Sequence, residues 1–196
     1  VTPIMKAVRK AEQKMLETAT TKTYKGVVGN KEFSSAIVDL ALGNAVDKSR
    51  IRCVNGNGGT GALMILMHVL GRARPGGRIF ISDPTWPNHI PLAENADLEV
   101  HYYPYFDKTT RGVDFAAMME VLQGLTADDI VLLHGCCHNP TGANLSPSQW
   151  DQVIALLQRK GAVPFVDLAY QGFGDGLEED AYAIRAMVAA GVSFFV

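Results

Sequence analysis

Four short stretches hold most of the residues in this sequence that could do chemistry. The first is a glycine loop, Gly56-Asn-Gly-Gly-Thr-Gly61. Glycines let a backbone approach a phosphate closely, the amides and dipole at a helix start stabilise the anion, and Thr60 adds a hydroxyl donor. The second, Asp83-Pro-Thr-Trp-Pro-Asn-His89, sets Trp86 between two prolines as a stiffly held aromatic face. The third, His134-Gly-Cys-Cys-His-Asn-Pro-Thr-Gly142, carries two imidazoles, two thiols and the amide of Asn139 on a rigid turn. The fourth, Asp167-Leu-Ala-Tyr-Gln-Gly172, places a carboxylate directly after the apolar pair Phe165-Val166. Such a carboxylate needs a partner, because isolated buried charge is very costly. A cationic ring nitrogen would serve, and so would a local turn or cap. Tyr170 can bring its hydroxyl to the same space.

Each stretch also has a plainer reading. The glycine loop could be a tight turn before a buried helix, and tryptophan is a common core residue. His134-x-x-x-His138 with Cys136 and Cys137 contains zinc-type ligands, but adjacent cysteines on a strand-to-loop segment are expected to point apart. No second cluster completes the set, so no metal site is expected. The spacing Gly56-x-Gly58-x-x-Gly61, with Asp83 roughly 20 residues on, also fits a dinucleotide fingerprint. A nicotinamide-dinucleotide-binding oxidoreductase domain is therefore the alternative. His68, on an apolar helix, reads as a satisfied core histidine.

The elements that position these stretches alternate. Residues 50–55, 78–82, 98–103, 130–133, 163–166 and 192–196 read as strands. Helical periods fall at 60–70 (closed by Gly71), 89–95, 115–122, 147–160 and 178–190. Asp114 caps the helix whose Phe115, Met118, Met119 and Leu122 share a face, and Gly124 ends it. Ser146-Pro-Ser-Gln149 forms a capping box ahead of the stripe Trp150, Val153, Ile154 and Leu157. The helix at 60–70 is apolar nearly all round and is expected to be buried on most sides. Upstream, 3–16 and 33–42 read as amphipathic helices joined by a loop at 20–31. This order indicates an α/β fold, a mostly parallel sheet with helices on both faces. In such sheets ligands bind beyond the carboxyl ends of the strands, which is where all four stretches lie.

Composition narrows the partners. With 18 Lys+Arg against 20 Asp+Glu and no basic run, nothing marks a nucleic-acid or anionic-membrane surface. The longest apolar run, 62–70 broken by His68, is far short of a membrane span. Cys53, Cys136 and Cys137 are odd in number and two are neighbours, which fits free thiols in a reducing, cytoplasmic compartment. The chain opens at Val1 and stops on a strand-like Val192-Ser-Phe-Phe-Val196, as a fragment would.

Taken together, Gly58-Gly-Thr-Gly-Ala-Leu63, Asp83 to His89, His134 to Gly142 and Asp167-Leu-Ala-Tyr-Gln-Gly-Phe173 resemble the motifs of the aspartate/aromatic aminotransferases. Ala7-Val-Arg-Lys-Ala-Glu12 and Tyr24-Lys-Gly26 extend the likeness over the whole chain. That family is pyridoxal-phosphate (PLP) dependent, of fold type I. The resemblance implies that Gly59 and Thr60 hold the cofactor phosphate, with Gly58 beside them, and that Trp86 stacks on the ring. It implies that Asp167 pairs with the ring nitrogen, and that Asn139 and Tyr170 bond the phenolic oxygen. His89 and His134 would orient Asp167, and Tyr24 would reach the phosphate of the neighbouring subunit in a homodimer with shared active sites.

Gly56-Asn57 departs from the Ser/Thr-Leu that precedes this loop in the family. The implied reaction moves an amino group between an aromatic or acidic L-amino acid and a 2-oxo acid such as 2-oxoglutarate. The aromatic preference rests on Asp83-Pro-Thr-Trp and Glu178-Glu-Asp-Ala-Tyr-Ala-Ile-Arg185. The family's Schiff-base lysine, in Ser-x-Ser-Lys, is expected downstream of Val196, so no catalytic lysine is assigned within the chain. Residues 1–196 would be a partial large, cofactor-binding domain, without the small domain and C-terminal region. Such a piece is expected to be inert and poorly stable, with unpaired strand edges; a non-catalytic relative is the remaining reading.

Overall fold

A computed structural model describes residues 3–24, 26–44 and 46–196. Lys25, within the Tyr24-Lys-Gly26 likeness, lies outside the described residues, as does the opening Val1. Four parallel strands form the central sheet: β1 (Arg78–Asp83), β2 (Glu99–Pro104), β5 (Ile130–His134) and β6 (Val163–Asp167), in the order β2-β1-β5-β6. Every residue of β5 is buried, as a central strand covered on both faces requires. The side-chain alternation splits the core in two. Ile79, Ile81, Ile130, Leu132 and Phe165 face one side, against Leu63, Met67 and Leu70 of α3 (Gly58–Ala73) and Ala93 of α4 (His89–Asn95). Phe80, Val131, Leu133 and Val166 face the other. There they meet α5 (Phe115–Leu122), α6 (Pro147–Lys160) and α7 (Tyr182–Ala189).

The helix signals act as read. Asp114 accepts the Ala117 amide at 3.1 Å. Ser146 and Gln149 close a reciprocal capping box with Pro147 at the first helical position, and Gly161 ends α6 in the left-handed conformation at φ 70°. Trp150, Val153, Ile154 and Leu157 are all buried.

Several expectations are corrected. Residues 50–55 do not form a strand: a 3₁₀ turn at Lys48–Arg50 leads into extended chain with no ladder partner among the described residues. Its half-buried and exposed positions still alternate, but the segment is tied down by Asn55 instead. The Asn55 side chain bonds the Asn30 amide and Ser34, and its own amide reaches the Val28 carbonyl. At 192–196 only Phe195 bridges to Phe165. The acidic start read as a helix from 178 is a 3₁₀ turn, Glu179–Ala181, followed by α7.

Gly71 does not end its helix; α3 continues to Ala73, and a Cβ at Gly71 would collide with the Ala96 carbonyl oxygen behind α4. Nor is α3 buried on most sides, since Met64 and Val69 are exposed and His68 is half-buried. A small antiparallel hairpin, β3 (Phe106–Asp107) with β4 (Gly112–Val113), is a further element. The N-terminal helices α1 (Lys6–Thr18) and α2 (Lys31–Leu42) bury no residue. No described helix is long and apolar enough to cross a membrane.

Candidate active site

The ends of β1, β5 and β6 and the start of α3 converge on a pocket of about 260 Å³. Gly59, Thr60, Trp86, Asn139, Asp167 and Tyr170 all line it, so six of the residues singled out above share one wall space. Leu63, His134, Cys136 and Ala169 complete it. Tyr24 is fully exposed and lines no part of the pocket. The glycine loop supplies an open helix start. Asn57 caps α3 without a side-chain bond, Gly58 takes φ 64°, and a Cβ on Gly58 or Gly59 would meet only open space. First-turn amides have no intrahelical acceptor and point outward, which suits an anion.

Behind the pocket runs a chain of polar groups whose direction can be worked out. The Asn139 backbone N–H donates to Nδ1 of His134 at 3.4 Å. Burial drives the His134 imidazole down to about 2, reinforced by the neighbouring His138 and His89 rings, so it is neutral and its proton sits on Nε2. That Nε2–H faces Thr85 Oγ1 at 3.2 Å, and the Thr85 hydroxyl in turn donates a hydrogen bond to Nδ1 of His89 at 2.8 Å. His89 therefore carries hydrogen on Nε2 and donates it to Asp167 Oδ2 at 2.9 Å. The tautomers follow from donor and acceptor bookkeeping. His89 is fully buried, held edge-on by both Trp86 and His134, so the carboxylate has a fixed donor at its back. Thr85 is the member of this relay that the sequence reading passed over; its place in Asp83-Pro-Thr-Trp was the available signal.

His138 serves a neighbouring set. Its ring bonds Ser82 at 3.0 Å and Thr141 at 2.9 Å and stacks on Tyr105 at 3.9 Å; burial pushes it down to about 4, with His89 adding to the shift. The ring nitrogens of His134 and His138 are thus all engaged in hydrogen bonds.

The other surprise is Asp180. It stands in a charged run, which gives no hint of burial, yet it is 5% exposed. It accepts the amides of Gly172, Gly174 and Asp175 at 2.8–2.9 Å, closing the loop after Tyr170. The adjacent thiols do not point apart as expected. Cys137 is left-handed at φ 46°, which breaks strand alternation and turns its sulfur towards that of Cys136. Cys136 is pushed up to about 12, chiefly by burial, then by Cys137 and Asp180.

A family model described as aminotransferase class I and II matches residues 2–196. The chain belongs to that family. The aromatic-amino-acid aminotransferase of Paracoccus denitrificans is 52% identical over 184 residues, covering 94% of this chain and 47% of its own. A solved aromatic amino acid aminotransferase with 3-indolepropionic acid superposes at a TM-score of 0.92 and 51% identity, over 95% of this chain and 48% of that one. The enzyme from Burkholderia pseudomallei, described as covalently bound to pyridoxal phosphate, does so at 0.94 and 39%, over 98% and 49%. The chain thus spans about half the length of the curated relatives it matches. An aminotransferase chain leaves no room for the nicotinamide reading. Its fingerprint requires a strand immediately before the glycines, and residues 51–56 are not one.

Proposed function

We propose that this chain is part of the large, cofactor-binding domain of a cytoplasmic, homodimeric PLP-dependent aminotransferase. The parent enzyme moves the amino group of an aromatic, and also an acidic, L-amino acid to a 2-oxo acid such as 2-oxoglutarate. The observation that carries this reading is Asp167 on the pocket wall with His89 Nε2–H behind it.

The donor set fits the cofactor. Gly58, Gly59 and Thr60 offer amides and a hydroxyl to a phosphate, Trp86 a ring face, and Asn139 and Tyr170 an amide and a phenol to a ring oxygen. Bound PLP supplies an electron sink for the α-carbon of the amino acid. Asp167 would pair with the protonated ring nitrogen, and His89, bonded to Thr85, occupies Oδ2 and so holds the carboxylate in place. Tyr24, exposed on this chain, would serve the neighbouring subunit's phosphate, and the proton-transferring lysine would come from beyond Val196.

The test is a PLP titration followed by tryptophan fluorescence, on wild type and Asp167→Ala, with NAD in parallel. Binding of PLP that weakens at least tenfold in the variant is expected. Stabilisation by NAD but not by PLP would overturn the reading. For the parent enzyme, turnover of tyrosine and phenylalanine is expected beside aspartate, and strict aspartate specificity would remove the aromatic assignment.

A further inference from the structure

We propose that Cys136, Cys137 and Asp180 form a binding site for one thiophilic divalent cation, set in the wall behind the cofactor pocket. The two sulfurs and a carboxylate oxygen of Asp180 all lie within 4.8 Å of one another. Metal–sulfur bonds of about 2.3 Å at tetrahedral angles hold their donors roughly 3.8 Å apart, so the three ligands need only a small closure.

Three features build this arrangement. The left-handed backbone at Cys137 puts both sulfurs on one side, a strained conformation that a plain turn would avoid by using glycine. Gly174 leaves the gap open: a Cβ there would stand 2.6 Å from Asp180 Oδ1 and 3.1 Å from Cys137 Sγ. Asp180 is already aimed at this gap, its Oδ2 accepting the Gly172 and Gly174 amides and its Oδ1 the Asp175 amide.

Cys136 opens on the pocket and Cys137 is half-buried, so water can supply a fourth ligand. On binding, both thiols release their protons to solvent and two metal–sulfur bonds form. The divalent charge against two thiolates and one carboxylate leaves the site at one net negative charge. Thiolate softness selects zinc- or cadmium-class ions over magnesium and calcium.

Cadmium is the probe. Titrating the chain, kept reduced by a phosphine and free of PLP, should raise the thiolate-to-cadmium ultraviolet band and saturate at one equivalent. C136S and C137S should each abolish the band with circular dichroism unchanged, and C53S should keep it. D180N should weaken affinity about tenfold; if D180N does not fold, the cysteine variants decide. No band in wild type, a full band in C136S or C137S, or its loss in C53S would overturn the site. Because no cofactor is present, failure here leaves the PLP reading untouched, and the reverse holds as well.

Discussion

The rim at the strand ends and the apron formed by the described residues of 3–55 with 192–196 are built on different terms. At the rim, a continuous chain of hydrogen bonds runs from the Asn139 backbone amide through the His134, Thr85 and His89 side chains to Asp167. The apron has two helices that bury nothing and two extended segments with little or no ladder, held by scattered side-chain bonds such as those of Asn55. The same chain therefore carries a hydrogen-bonded site on a buried core, beside a region whose two helices bury no residue. Preorganisation follows from burial on both sides of the sheet, and hydrophobic patterning alone does not supply it.

The widest separation between the two regions should appear in truncations to alanine. Phe165→Ala, which empties a fully buried position on β6, should cost about 3–5 kcal/mol in urea unfolding. A loss below 1 kcal/mol would show that the core is looser than its burial implies.

Next comes pH. His134 and His138 sit at about 2 and about 4 when folded, against 6.5 for the free group. The unfolded chain therefore binds more protons as pH falls below that value. Stability should be full above pH 6.5 and drop, by at most about 1.4 kcal/mol per pH unit for each ring, on the way down. A His138→Asn variant should flatten the slope of unfolding midpoint against pH between 7 and 5, and an unchanged slope would contradict its burial in the neutral form.

Asp167→Ala should cost about 1–3 kcal/mol, because it strands the buried His89 Nε2–H. Thermal melts of the cofactor-free chain would show this separately from any PLP effect. In the apron, Leu16→Ala and Val54→Ala should each stay within about 0.5 kcal/mol of wild type. A larger loss from either would erase the distinction drawn above.

Much of this was legible in the residues. The alternating strands and helices, the caps at Asp114 and Ser146, and the gathering of Gly59, Thr60, Trp86, Asn139, Asp167 and Tyr170 at one rim all follow from pattern and topology. What escaped did so for physical reasons. Residues 50–55 have strand chemistry, but a ladder also needs a partner, and pattern cannot register its absence. Asp180 looks like a helix-start acid until a distant loop closes over it. The left-handed turn at Cys137 has no sequence mark at all, because cysteine seldom adopts it.

The close pass of Gly71 against the Ala96 carbonyl has a consequence at the other end of α3. A straight helix carries its first turn as the arm of a lever, about 18 Å from Gly71 to Gly59 at 1.5 Å per residue. The contact behind α4 is the pivot of that lever. Exchanging one hydrogen for a methyl group there would tilt the arm and swing the Gly58 and Gly59 amides sideways, detuning an anion site from the far end of the rod.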